Sequence, residues 1–162
     1  MDLVTVRKGY NYNTASWEEA FYNLNDSISK NEVVKFPKGA GPWAPGGFFV
    51  SHNAVRINCV QDVLKDLGCQ TAHLYIGIDI TNSGFGKHAD KVDVWIWQNK
   101  GVTRWEYQNP LDVEKSSTLN EGDLIYIPKG IYHKANSVTA RFSITMFKET
   151  EEELTRLNKR SI

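Results

Sequence analysis

The sequence predicts a mainly β chain that closes into a barrel or sandwich, and three observations carry that expectation. From residue 70 onward, short β-branched and aromatic runs recur with turn residues between them. Trp, Tyr and Phe together reach 12% of the chain, and such side chains suit a half-buried pleated surface. Clear helical periodicity belongs to the flanks, and the length of 162 residues suits one domain with a single core.

In chain order, ASWEEAFYNLNDSIS (15–29) reads as an amphipathic helix, with Trp17, Ala20, Phe21 and Leu24 at helical spacing and Glu18 and Glu19 in the first turn. VVKF (33–36) predicts a short strand. KGAGPWAPGG (38–47) packs four glycines and two prolines into one loop, a connector or a lid. FFVSHNAVRIN (48–58) is ambiguous, and CVQDVLKDL (59–67) is helical with Gly68 as its stop. The strands expected next are 70–80, 93–101, 103–108, 122–128 and 139–147; the charged stretch 148–161 is helix-forming. The organisation expected is a single domain over 1–162, with a helical and loop part at 1–69, the strand core at 70–147 and a C-terminal helix at 148–162.

Composition excludes several function classes. Nineteen basic and nineteen acidic side chains cancel, so no charge excess points to nucleic acid or an anionic membrane. Charged residues at 23% and hydrophobic ones at 41% are those of an ordinary folded protein. Cys59 and Cys69 are too few for a disulfide framework and lack a C-x-x-C spacing, so buried thiols in a reducing compartment are expected. No apolar run reaches membrane-spanning length and the N-terminus lacks a signal-peptide core, so a cytoplasmic location is expected.

The chemistry centres on three residues. In GFGKHAD (84–90), His88 lies two residues before Asp90, and residues i and i+2 of an extended chain share a face. The best third ligand is His133, which follows the strand and Pro-Lys-Gly turn of GDLIYIPKGIYH (122–133). Two histidines and a carboxylate on one face of a metal leave positions open, the arrangement of non-heme Fe(II) oxygenases. A structural zinc site closes its shell, usually with cysteine. An H-x-D pair alone is a weak pattern, for which chance spacing is the competing reading.

A family resemblance decides between them. Residues 122–133 resemble the second cupin motif through Gly122, Pro128, Gly130 and His133, with Asn136 one residue early. In the first cupin motif Asp90 stands for the second histidine and Val94 for the metal-binding glutamate, which is the difference that sets JmjC-type oxygenases apart. The stretch 73–107 resembles the core of the JmjC hydroxylases, particularly the ribosomal-oxygenase branch, through Tyr75, Gly84, Phe85, Gly86, His88, Asp90, Asp93, Val94, Gln98, Gly101 and Trp105. The resemblance covers roughly residues 72–147. It implies a double-stranded β-helix (jelly-roll, cupin) barrel that binds Fe(II), 2-oxoglutarate and O2, with His88, Asp90 and His133 as metal ligands.

One departure matters. Most JmjC hydroxylases carry a Lys or Arg on the strand after the matched glycine to pair with the distal carboxylate of 2-oxoglutarate, and here that position is Thr103. Arg141 is expected to replace it: Arg-Phe-Ser after the distal histidine resembles the R-x-S motif of plant-type 2-oxoglutarate oxygenases. Tyr75, Arg141, Ser143 and Thr103 are therefore assigned to the co-substrate, with Lys100 and Arg104 as fallback cations. His52 and His73 read as structural, and Trp95, Trp97 and Trp105 as core with one of them walling a pocket. The function implied is hydroxylation of a C–H bond on a protein side chain, with ribosomal proteins among the substrates. A small-molecule hydroxylase, a metal cupin enzyme without 2-oxo acid and a non-catalytic ligand-binding cupin stand as alternatives.

Overall fold

The computed structural model describes residues 3–35, 43–44, 47–80, 84–111 and 113–149. Two antiparallel sheets face each other. The larger has seven strands, β1 (Thr5–Arg7), β2 (Trp43–Ala44), β3 (Phe48–Ser51), β4 (Thr71–Gly77), β5 (Val94–Lys100), β8 (Leu124–Ile127) and β10 (Arg141–Phe147), in the order β1-β8-β5-β10-β4-β3-β2. The smaller pairs β7 (Glu114–Leu119), β6 (Thr103–Gln108) and β9 (His133–Ser137), in the order β7-β6-β9. Two helices, α1 (Trp17–Ser29) and α2 (Asn58–Leu67), precede the main run of strands.

Strand alternation explains the layering. On β4, β5 and β10, one set of residues (Leu74, Ile76, Trp97, Ile144, Met146) packs in a core with Ala20, Leu24, Val60 and Val63 of the helices. The opposite set looks between the sheets. There Val94 and Ile96 of β5 and Ile125 and Ile127 of β8 pack with Trp105 and Leu119 of the smaller sheet. The central strands are thus buried on both faces, as the continuous apolar and aromatic texture of β5 requires.

The helix at 15–29 forms as expected. Ser16 caps it, its hydroxyl accepting from the Glu19 amide while the Glu19 carboxylate accepts from the Ser16 amide, a reciprocal arrangement that satisfies two otherwise orphaned donors. Phe21 is half exposed and lies on Trp17 with ring centroids 5.8 Å apart. Asn23 and Ser27 take the buried positions beside Ala20 and Leu24, and both reach the Ser51 hydroxyl on β3. The helix at 59–67 forms one residue longer and ends at Gly68. Both cysteines are free, and burial pushes each thiol up to about 11.

Several expectations change. The strand over 33–36 reduces to one bridge, Val33 with Ser51, and Phe36 lies outside the described residues. The 38–47 loop contains a two-residue strand, β2, which pairs with β3 and so extends the sheet edge. Three strands lack the apolar alternation that sequence reading uses. β1 is three residues long, β7 (EKSSTL) is mostly exposed, and β9 (HKANS) is polar. Each is stabilised by the ladder it joins. The expected C-terminal helix falls largely outside the described residues, and its first two, Lys148 and Glu149, are not helical. Among the described residues no helix is long and apolar enough to cross a membrane.

Two fastenings close the barrel. Gly101 makes the β5–β6 turn at φ +72°, and a Cβ there would stand 2.1 Å from the Ala140 carbonyl oxygen. Asp123, 4% exposed, accepts from the Gly9 amide (2.9 Å), the Asn120 amide (2.8 Å) and the Lys8 ammonium (2.8 Å), tying β1 to the β7–β8 turn. Burial alone would raise the Asp123 carboxyl, but the Lys8 contact and the two amides outweigh it and hold it below its ordinary range.

Gly101→Ala is expected to destabilise the fold by more than about 2 kcal/mol in urea unfolding, since both the backbone angle and the space exclude a methyl group. Asp123→Ala is expected to cost about 1–2 kcal/mol at neutral pH, because it removes the shared acceptor of the Gly9 and Asn120 amides and the Lys8 ammonium. The folded-state depression means that the stabilising charge is complete above the unfolded carboxyl pKa near ~4 and is lost as pH falls below it, so the gap between wild type and variant should shrink on acidification. A pH-independent gap would assign the effect to shape alone.

Candidate metal centre and its cavity

His88 and His133 are a directly opposed antiparallel pair. The His88 amide donates to the His133 carbonyl (3.0 Å) and the His133 amide to the His88 carbonyl (2.8 Å). Such a pair puts both side chains on one face of the sheet at close range, and the ring centroids are 4.5 Å apart. The segment at His88 therefore extends the smaller sheet beyond β9.

The turn that precedes His133 is sewn to the same segment. The Gly130 amide donates to the Asp90 carbonyl (2.9 Å) and the Lys129 amide to the Asp93 carboxylate (2.9 Å). This explains the Pro-Lys-Gly turn and the Asp93 match in physical terms: they set the height of His133 against Asp90. Gly84 lies where a Cβ would be 3.2 Å from the Ala135 carbonyl oxygen, a close approach of two backbones that a side chain would disturb.

Ring orientation is fixed the same way in both histidines. The Nδ1–H of His88 donates to the Gly86 carbonyl and that of His133 to the Ile131 carbonyl, each at 2.9 Å. A carbonyl can only accept, so the proton of the neutral ring sits on Nδ1 and the Nε2 lone pair faces inward. His133 Nε2 lies 3.3 Å from Asp90 Oδ2, and His88 Nε2 lies 3.8 Å from Asp90 Oδ1. The three ligand atoms all fall within 4.8 Å of one another. His133 is buried, while His88 and Asp90 are partly exposed. Burial works to raise the Asp90 carboxyl, but contact with His133 first and His88 next, when those rings carry a second proton on Nε2, brings it below its ordinary value. Two imidazole nitrogens and one carboxylate oxygen on one side of a point can hold a divalent ion and leave its other side open.

The cluster opens on a cavity of about 260 Å³ between the sheets. Its far wall is the inner face of β4 and β10, where Tyr75, Arg141 and Ser143 meet as expected. Ser143 pairs directly with Tyr75 across the two strands. The Arg141 guanidinium, 2% exposed, donates from Nε to Ser137 Oγ (3.1 Å) and from Nη1 to Ser143 Oγ (3.2 Å). It thereby spans from the smaller sheet to the larger. Burial brings its pKa down to about 10, with Tyr75 opposing the fall, so it remains cationic at neutral pH. The Tyr75 phenol is pushed up to about 12 by burial first and by Asp90 next, with Arg141 opposing; it is a neutral hydroxyl.

Thr103 differs from the other assigned residues. It is fully buried opposite Ser137 in the β6–β9 ladder and does not line the cavity. Its hydroxyl is buried with no partner among the described residues. The fallback cations are both elsewhere: Lys100 is bound to Glu121 and Thr14, and Arg104 is exposed beside Glu106 and Ser116. Of the three tryptophans, Trp105 walls the cavity, whereas Trp95 and Trp97 pack on the helical side. His73, read as structural, is a cavity residue, as are Thr145 and Phe147. Alternation would have found all three, since His73 precedes Tyr75 by two and Thr145 and Phe147 continue the Arg141–Ser143 face. Phe48 also lines the cavity, from a segment whose pattern was ambiguous.

Residues 51–118 match the family model described as JmjC domain. The bifunctional lysine-specific demethylase and histidyl-hydroxylase NO66 of Dictyostelium discoideum is 36% identical over 74 residues, which covers 33% of this chain and 14% of that protein. Its namesake from Culex quinquefasciatus is 24% identical over 96 residues, or 47% of this chain and 15% of that protein. The Escherichia coli ribosomal oxygenase YcfD, in a structure with cobalt and 2-oxoglutarate, superposes with a TM-score of 0.66 at 19% identity, covering 99% of this chain and 54% of that one. A second YcfD structure, with cobalt and succinic acid, gives 0.65 at 18% identity over 98% and 53%. The chain thus spans about half the length of YcfD and a small part of the NO66 proteins. Residues 51–118 are thus similar to a JmjC domain, and the chain shares its fold with the ribosomal oxygenase YcfD.

Proposed function

We propose that this chain is an Fe(II)- and 2-oxoglutarate-dependent oxygenase that hydroxylates a C–H bond of a protein side chain. The observation that carries the reading is the convergence of His88, Asp90 and His133, with both Nδ1 protons committed to backbone carbonyls and both Nε2 atoms turned to the Asp90 carboxylate. That donor set fits Fe(II): two imidazoles and one oxygen ligand, no sulfur, and one side left free for two further ligands. When bound, iron and 2-oxoglutarate would supply the oxidising power, with the oxo acid and O2 converted to succinate and CO2 as a substrate C–H becomes C–OH.

The chain's own residues bind, orient and keep dry. Arg141 offers a buried guanidinium to the distal carboxylate, held in place by Ser137 and Ser143. A fork with two of its N–H groups already anchored loses little freedom on binding an anion. Tyr75, a neutral hydroxyl beside it, is placed to donate to the same ligand. Thr103, opposite Ser137 in the β6–β9 ladder and outside the cavity lining, offers the ligand no charge. Val94, Ile96 and Trp105 give the metal side apolar walls, which exclude water and strengthen the charge pairing within.

A protein substrate is favoured by the similarity to NO66, described as a histidyl-hydroxylase and demethylase, and to YcfD, described as a ribosomal oxygenase. A cytoplasmic setting goes with it. Hydroxylation of an N-methyl carbon would give a hemiaminal that breaks down to the amine N–H and formaldehyde, so demethylation is the same chemistry on a different substrate.

Anaerobic titration with Fe(II) and 2-oxoglutarate is expected to produce a weak visible charge-transfer band, absent in His88→Ala. Iron binding without the band would remove 2-oxoglutarate and favour a metal cupin enzyme of another kind. Arg141→Ala should raise the 2-oxoglutarate Kd at least about thirtyfold, as expected for losing one partner of a buried charge pair. Arg141→Lys should rescue it poorly, because an ammonium cannot hold both serines and the ligand in one plane. An Arg141→Ala protein that binds 2-oxoglutarate normally would move the carboxylate site elsewhere.

A further inference from the structure

One donor in the cavity wall has no use within the protein itself. Trp105 lines the cavity and is 7% exposed, and its indole Nε1–H has no hydrogen-bond partner among the described residues. A buried indole N–H ordinarily finds an acceptor, because an unpaired one has lost its hydration with no return. Trp97 carries a second such N–H, but it is shut into the helical core, away from the cavity. Of the two, Trp105 is the one that borders space for a ligand.

Register fixes its place along that space. On the smaller sheet Tyr107 stands opposite His133, Trp105 opposite Ala135 and Thr103 opposite Ser137. His133 belongs to the metal cluster, and Ser137 anchors the Arg141 guanidinium. Trp105 therefore sits on the wall between the metal end and the cationic end, with its ring centroid 5.8 Å from that of His133. The two walls are unequal in donors. The larger sheet offers the Tyr75 hydroxyl and the Arg141 guanidinium. Strands β6 and β9 line the cavity with Trp105, His133 and Ala135. The His133 Nδ1–H is committed to the Ile131 carbonyl, and a methyl group donates nothing. From those two strands, the Trp105 N–H is the side-chain donor left for a ligand.

We infer that the Trp105 indole N–H donates a hydrogen bond to an oxygen at the oxo-acid end of the bound 2-oxo dicarboxylate, so that the co-substrate is gripped from both sheets. This rests on the proposed 2-oxoglutarate reading. Such a ligand carries acceptors at its two ends and only methylene groups between them. A donor beside His133 meets the end near the metal, while Tyr75 and Arg141 meet the other. Trp105 is then a binding residue as well as an apolar wall, and the hydrogen bond missing in the free protein is made in the complex.

The test uses the indole N–H signals in an NMR spectrum of isotope-labelled protein, which has five tryptophans. Zn(II), redox-inert and diamagnetic, takes the place of iron. Adding 2-oxoglutarate should move the Trp105 proton signal downfield and slow its exchange with solvent deuterium. The Trp97 signal, from an N–H equally buried but away from the cavity, should stay where it is. The Trp105 signal is assigned by its loss in Trp105→Phe, or by cross-relaxation with the His133 ring if that variant folds poorly. Trp105→Phe should also raise the 2-oxoglutarate Kd about tenfold, as for one lost hydrogen bond to a charged group, with Zn(II) affinity within about threefold of wild type. A Trp105 signal that stays put while 2-oxoglutarate binds would overturn the assignment, as would a fall in Zn(II) affinity as large as the fall in 2-oxoglutarate affinity. A wild-type protein that gives neither a band with Fe(II) nor any shift with Zn(II) when 2-oxoglutarate is added would instead sink the co-substrate reading, and the role of Trp105 with it.

Discussion

Everything at the site depends on two backbone hydrogen bonds, those exchanged between His88 and His133. They are ordinary ladder bonds, yet they join segments far apart in sequence and fix the distance between two imidazoles without any side-chain help. The turn bonds from Gly130 to Asp90 and from Lys129 to Asp93 then lock the third ligand to the same frame. The placement of the two rings is therefore a property of sheet register. A slip of one residue between the segments would turn one ring to the opposite face of the sheet.

The second constraint is a sheet whose inner face is polar where it should be apolar. On β4 and β10 the outward residues Leu74, Ile76, Ile144 and Met146 build the helical core, while the inward residues His73, Tyr75, Arg141, Ser143 and Thr145 line the cavity. Burying a guanidinium is costly unless its N–H groups are satisfied. Ser137 and Ser143 are among the groups that meet that demand, and the guanidinium makes the end wall of the cavity cationic. The fully buried Thr103 hydroxyl, without a partner among the described residues, is another departure from a satisfied interior. Such departures concentrate at ligand sites because stability there is traded for binding.

The sequence made much of this legible, for identifiable reasons. β4, β5, β6, β8 and β10 were readable because they are buried on at least one face, which forces the apolar alternation. Helix α1 declared itself through Ser16, Glu19 and the spacing of its apolar residues. The three candidate ligands were readable as an H-x-D pair and a histidine after a strand and turn, but their convergence became specific only through family resemblance. β1, β7 and β9 were not readable, since β7 and β9 are polar and β1 is too short to show a period. Arg141 could be found from its motif, and His73 from its place two residues before Tyr75 on one strand face, although an imidazole has the same local signature in a core as in a cavity wall.

The order in which the chain is made gives the reciprocal His88–His133 pair one more consequence. A nascent chain complete through β8 already holds His88 and Asp90 but not His133. Until β9 is added and the smaller sheet gains its last strand, the centre has two ligands and an open barrel around them. An ion able to activate oxygen then has no proper seat in the unfinished protein. On the proposed reading, oxygen chemistry would then be confined to molecules that have closed, and topology alone would spare the chain the damage of a half-built centre.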